Sequence, residues 1–161
     1  MALDLIFLKI YFNSNMLTLS EKEVEKIAVQ LLKGMICFYQ LDNKKIYQLP
    51  DDEDYFNYDL TPEEEDILDE IEDNPDNFAE FVKMEPNQEH QMMERFADRI
   101  VKERVFQDEL VNALSKPKAA TAFKFLIDSS GKYNEVWKEF RLQNYKDWIK
   151  EQIDSFNYAE D

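Results

Sequence analysis

The chain holds one histidine, His90, in the run Glu89-His-Gln-Met-Met-Glu94. His90 and Glu94 stand one helical turn apart, so an imidazole and a carboxylate can share a face and approach a cation together. A structural zinc site needs four ligands, and a catalytic one needs three plus an open position. With no second histidine in the chain, the pair reads first as a solvated, salt-bridged histidine near a helix start. A metal-dependent enzyme would require a further carboxylate to converge on His90 and Glu94. The single Cys37 sits in the apolar run Met35-Ile-Cys-Phe-Tyr39, where nothing nearby lowers its pKa, so a buried and inert thiol is expected. The only glycines are Gly34 and Gly131, too few for a loop that cradles phosphate. No catalytic residue and no cofactor is assigned.

The strongest chemical signal is charge. Between Lys45 and Lys83 there is no Lys, Arg or His, but there are fifteen Asp and Glu. The whole chain has 35 acidic and 19 basic residues, so outside this stretch twenty acids face nineteen bases. The stretch thus carries nearly all of the formal charge of −16. Its candidate interaction face comprises Asp51, Asp52, Glu53, Asp54, Glu63, Glu64, Asp66, Asp69 and Glu70. An EF-hand would alternate acids around a glycine at the sharp turn, and Asp51-Asp-Glu-Asp54 runs into Tyr55-Phe56 without one. Paired carboxylates for glycoside hydrolysis would need burial to raise their pKa, which acids this dense do not suggest. Three readings remain: a solvated face, a contact surface for a basic partner, and an internal cover for the molecule's own bases.

The third reading has a basis downstream. From Arg95 to Lys150 twelve bases outnumber eight acids, and they are interleaved with Phe, Tyr and Trp. Such a pattern can track a nucleic-acid backbone and stack bases, or it can be a set of stems flanking an aromatic core. Lys116-Pro-Lys118 stands where a helix should begin, and with Lys124 it forms a possible anion contact. A strongly negative chain repels phosphates at long range, so nucleic acid is admitted only if the acidic segment is displaced.

These residues need elements to position them. Ser20-Glu-Lys-Glu23 is a capping box, flanked by Leu19 and Val24 as a hydrophobic staple. Val24, Ile27, Ala28, Leu31 and Leu32 then form an apolar helix face that Gly34 stops. Met35 to Leu41 and Lys45 to Leu49 flank Asp42-Asn43 as a β-hairpin, closed by Pro50. Asp51 to Leu60 reads as irregular. Thr61-Pro62-Glu63-Glu64 starts an acidic helix with Ile67, Leu68 and Ile71 to bury, and Asn74-Pro75 ends it. Asn77 to Met84 is a candidate third strand.

From Pro86 the pattern is helical. Met92, Met93, Phe96 and Ile100 make one face, and Leu110, Val111 and Leu114 another after Phe106. Phe123, Leu126 and Ile127 point inward from a helix starting near Ala119, and Ser129-Ser130-Gly131 makes a turn. Tyr133, Val136, Trp137, Phe140, Tyr145, Trp148 and Ile149 lie on a final long helix or a broken pair. The composition, 44% hydrophobic with 12 Phe, 8 Tyr and 2 Trp, is that of a folded chain.

Leu3 to Phe12 is apolar but interrupted by Asp4 and Lys9, too short to span a bilayer and without a signal-cleavage site. Residues 1–15 are either an extension upstream of a natural start at Met16 or a short strand or docked tail. Residues 16–158 are expected to form a single domain, with the acidic segment 46–82 inside it, and no membrane association is expected.

The order of Met92-Met-Glu-Arg-Phe96, Asp108-Glu-Leu-Val-Asn-Ala-Leu114, Ala122-Phe-Lys-Phe-Leu126, Val136-Trp-Lys-Glu-Phe-Arg141 and Trp148-Ile149 resembles the bacterial Uncharacterised Protein Family 0158. The resemblance covers about residues 20–156. The family's pattern carries Phe-Arg-Arg-Phe-Lys in the third block, where this chain reads Phe123-Lys-Phe-Leu-Ile127, with one base in place of three. The resemblance implies fold boundaries and a bacterial cytoplasmic origin; it implies no mechanism.

The expectation is an α+β fold, mostly helical, with an antiparallel hairpin or three-stranded sheet in the N-terminal half. The expected function is a non-enzymatic interaction or regulatory module presenting an acidic face to a basic protein or peptide. The alternative is a nucleic-acid binder whose basic helical face, 95–150, is covered in cis by the acidic segment.

Overall fold

The computed structural model describes residues 16–51 and 60–158. The expectations for residues 1–15, for Tyr55, Phe56 and Tyr58, and for Asp52, Glu53 and Asp54 fall outside the described residues. Contacts divide the described residues into two units, one ending at Val82 and taken up again from Ile149, the other Lys83–Trp148.

The first unit opens on helix α1 (Glu21–Leu32). Ser20 Oγ accepts from the Glu23 N–H at 3.2 Å, and the Glu23 carboxylate accepts from the Ser20 N–H at 2.9 Å. This reciprocal cap satisfies two of the amides that a helix start leaves open. Val24, Ile27, Ala28 and Leu31 are buried, as their spacing requires. Gly34 follows at φ +88°, a left-handed conformation, with nothing within 4 Å of where a Cβ would stand. The demand on glycine here is torsional, not steric.

Strands β1 (Met35–Gln40) and β2 (Ile46–Pro50) form the hairpin, with Met35 opposite Pro50 and Tyr39 opposite Ile46. Pro50 is thus the last paired residue of β2, tolerated because β2 is an edge strand. The third strand, β3 (Phe78–Phe81), pairs antiparallel with the other side of β1, giving the order β2-β1-β3. The central strand buries Cys37, Tyr39 and Gln40.

Between the hairpin and β3 lies helix α2 (Pro62–Asp73), a short 3₁₀ turn (Pro75–Asn77) following it. Thr61 Oγ1 accepts from the Glu64 N–H at 3.1 Å, and Glu64 returns the bond to the Thr61 N–H at 3.4 Å. The α2 helix has no buried residue; Ile67, Leu68 and Ile71 are half-buried.

The second unit is all-helical: α3 (Pro86–Arg99), α4 (Arg104–Leu114), α5 (Ala119–Ser130) and the first part of α6 (Asn134–Tyr158). Phe96, fully buried, meets Trp137 and Phe140 at ring-centroid distances of 5.1 and 5.3 Å, both edge to face. Phe123 and Tyr133 approach it the same way at 6.2 and 6.1 Å. Tyr133, Trp137 and Phe140 are thus core packing around Phe96.

Three details differ from the sequence expectations. Val111 is 55% exposed; α4 buries Leu110, Ala113 and Leu114, a stripe that leaves Val111 a quarter-turn away. Val136 is 39% exposed for the same reason, one position before Trp137. Ser129 and Ser130 continue α5, and only Gly131, at φ +66°, makes the turn. The final segment is one continuous helix.

Residues 149–158 of α6 belong to the first unit, where side-chain amides fasten them. Gln152 accepts from the Val82 N–H at 2.9 Å and donates to the Val82 carbonyl at 3.2 Å. Asn157 does the same for Leu17, at 2.7 and 3.0 Å. Each amide thus serves one backbone donor and one backbone acceptor.

Candidate functional site

The acidic face is built on α2. Glu63, Glu65, Asp66, Asp69, Glu70, Glu72 and Asp73 are exposed, and no ion pair among the described residues engages them. Glu64 alone is half-buried, held in the cap. Glu63 and Glu65 lie in the first turn, where the helix dipole favours them. Glu72 and Asp73 lie in the last turn, where it opposes them. Like charges recur at i and i+4 (Glu65 with Asp69, Asp66 with Glu70, Asp69 with Asp73), each pair costing about 0.2–0.5 kcal/mol in an isolated helix. A cation placed along this face relieves that repulsion. Asp51 stands apart at the end of β2, its N–H donating to the Gly34 carbonyl at 3.1 Å.

Asp66 and Glu70 open onto a small cleft of about 140 Å³ whose other walls are Tyr47, Ile67, Phe78 and Gln40. Gln40 is only 7% exposed, so the floor is polar and sheltered while the rim is anionic. That combination suits one basic side chain.

A second charged surface in this unit escaped sequence reasoning. Lys22 and Lys26 of α1 meet Lys44 and Lys45 of the hairpin turn around a shallow depression of about 430 Å³. Tyr47 borders both depressions, so strand β2 separates a cationic surface from an anionic one. The i, i+4 spacing of Lys22 and Lys26 was visible in the sequence; their meeting with Lys44 and Lys45 depends on the fold. Glu23, beside them, is committed to the cap and to Tyr39, whose pKa is raised by burial and by that carboxylate.

The remaining sequence candidates are placed as follows. His90 Nε2 lies 3.0 Å from Glu94 Oε1 on the surface of α3. Among the described residues no group of three or more His, Cys, Asp and Glu could hold a metal ion. Lys116, Lys118 and Lys124 are all exposed but do not converge. Lys116 and Lys118 border a groove between α4 and α5 beside Phe125, which is 69% exposed, whereas Lys124 borders a different cavity. Helical geometry explains the split, since Lys124 and Phe125 point a quarter-turn apart. Among the twelve bases in 95–150, Lys132 pairs with Glu103, Lys138 with Glu135, Arg141 with Glu89, and Lys150 with Glu21. Cys37 is fully buried and its thiol is pushed up to about 12 by desolvation, which removes it as a nucleophile. Among the described residues no helix is long and apolar enough to cross a membrane.

The family model described as Uncharacterised protein family (UPF0158) matches residues 16–160 of the chain. No curated protein and no solved structure matches it significantly.

Proposed function

For this chain, which belongs to the Uncharacterised protein family (UPF0158), we propose an interaction module that presents the carboxylates of α2 to a basic protein or peptide. The observation that carries this reading is the unpaired state of the exposed α2 carboxylates among the described residues. A helix with no buried residue and this density of like charge contributes little to a core; its charge is available to a partner. The cleft at Asp66 and Glu70 offers a lysine or arginine of that partner a seat, with Tyr47 along its stem. Nucleic-acid binding draws less support, because Arg141 and Lys150 of the basic excess already meet carboxylates from outside that stretch, Glu89 and Glu21.

The test is fluorescence anisotropy with a labelled Lys/Arg-rich peptide and a neutral peptide of equal length. The wild-type protein should bind only the basic peptide, and added salt should weaken it steeply. The quadruple variant Glu63→Gln, Asp66→Asn, Asp69→Asn, Glu70→Gln should bind at least about tenfold more weakly, a loss of about 1.4 kcal/mol. Equal binding by wild type and variant, or salt-insensitive binding, rejects the proposal. Partners recovered from native lysate should be basic proteins released by salt; recovery of nucleic acid alone favours the alternative.

A further inference from the structure

The second unit contains a cavity of about 330 Å³ that neither the acidic face nor the sequence motifs account for. Three helices build it with the same stripe. Helix α3 supplies Glu89, Met92 and Met93, α5 supplies Ala120, Phe123 and Lys124, and α6 supplies Trp137, Lys138 and Arg141. The i, i+3, i+4 spacing brings one apolar and one charged position of each helix to the same opening.

Its floor is apolar and fixed. Met92 and Phe123 are each 1% exposed, and Phe123 locks Trp137 edge to face at 4.9 Å. Trp137 is half-buried, and no hydrogen bond among the described residues takes up its indole N–H. An aromatic floor of this kind, with two thioether side chains beside it, favours a flat, polarisable group. The size lies at the lower end of the range for small-molecule sites.

Its rim carries three bases, Lys124, Lys138 and Arg141, against two carboxylates, Glu89 and Asp128, a local excess of positive charge in a chain that as a whole carries −16. Lys124 has no ion pair among the described residues. Lys138 holds only the exposed Glu135, at 3.2 Å, a pairing worth little and readily exchanged. Arg141 lies 3.7 Å from Glu89, whose carboxylate also accepts from the Tyr145 hydroxyl. Asp128 and Asn134 add an acceptor and an amide at the edge.

We propose that the cavity between α3, α5 and α6 binds a small anionic molecule bearing a planar ring, the ring on Trp137 and the anionic group between Lys124, Lys138 and Arg141. This site is independent of the α2 face. The anion can be a phosphate or a carboxylate, as in a nucleoside monophosphate or an aromatic acid, and the test separates the two.

The experiment is a ¹⁵N NMR titration following the indole N–H of Trp137, distinguished from that of Trp148 by its loss in Trp137→Phe. The probes are a nucleoside monophosphate, an aromatic carboxylate, inorganic phosphate and an uncharged nucleoside. One ring-bearing anion should shift the Trp137 signal saturably below about 1 mM, at least tenfold more tightly than phosphate or the uncharged ring. Lys124→Ala with Lys138→Ala should weaken it at least tenfold, and Ala120→Trp, which fills the mouth, should abolish it. Both lysines are exposed, so that double variant keeps its fold and decides the matter if Ala120→Trp does not fold. No shift from either anion at about 1 mM, equal binding of phosphate alone, or binding unchanged in the double lysine variant overturns the proposal.

Discussion

Tyr133 donates its hydroxyl to the carboxylate of Glu103, thirty residues earlier, and the same hydroxyl oxygen accepts from the Lys102 N–H at 3.1 Å. The ring is 5% exposed and stacks on Phe106 at 5.5 Å, so a polar group at the tip of a buried ring ties the start of α4 to the turn before α6. Lys132 adds its ammonium to the same carboxylate.

Glu103 is therefore held at a pKa of about 2 by its bonds from Lys132 and Tyr133, against an ordinary 4.5. A depressed carboxylate contributes stability above its unfolded pKa and loses it as pH falls through the folded one. Stability should drop between about pH 4.5 and 2, and Glu103→Gln should flatten that limb of the curve. Tyr133→Phe should cost about 1 kcal/mol at neutral pH, read by urea unfolding.

Cys37 gives the opposite limb. Its thiol is raised from 9.0 to about 12 by burial, so the folded state holds its proton more tightly than the unfolded state does. That contribution is complete below about pH 9 and is lost as pH rises towards 12. Alkylation by iodoacetamide at neutral pH should proceed only through unfolding and accelerate with denaturant; rapid reaction of the native protein would contradict this burial.

Phe96 is the hub of the helical unit. Phe96→Ala should destabilise by about 3–5 kcal/mol, since four rings lose their common neighbour and the cavity cannot close around rigid aromatics. Phe96→Leu should cost less and retain near-UV circular dichroism from Trp137.

Thr61→Ala tests a different kind of element. The cap is worth about 1 kcal/mol to α2. Because α2 buries no residue, the loss should show as faster amide exchange confined to residues 62–73, with little change in the global midpoint. A large shift in Tm would mean that α2 supports the core.

The capping boxes, the hairpin and the acidic helix were legible because each rests on residues close in sequence: Ser20 with Glu23, Asp42-Asn43 between alternating runs, Thr61 with Glu64. The candidate strand at Asn77 to Met84 was less so, since Phe78, Ala79 and Phe81 are all buried and do not alternate. Partner pairing with β1 decides such a strand, and local pattern does not. Val111 and Val136 were misplaced because an apolar residue beside a buried stripe is indistinguishable from one within it until the neighbouring helices are in position.

The candidate sites divide along the same line. A run of like charge is a property of the chain, so the acidity of residues 46–82 and the absence of a catalytic signature were fixed by composition and spacing alone. Convergence is a property of the fold. Lys116 and Lys118, in the connection between α4 and α5, part from Lys124, which α5 turns towards a different cavity. Lys22 and Lys26 meet Lys44 and Lys45 because the hairpin returns the chain to α1, and Met92, Phe123 and Trp137 form one floor because three helices pack around Phe96. Short-range bonds and periodicity wrote the elements into the sequence, whereas only packing, which joins residues dozens of positions apart, determined which side chains share a cavity.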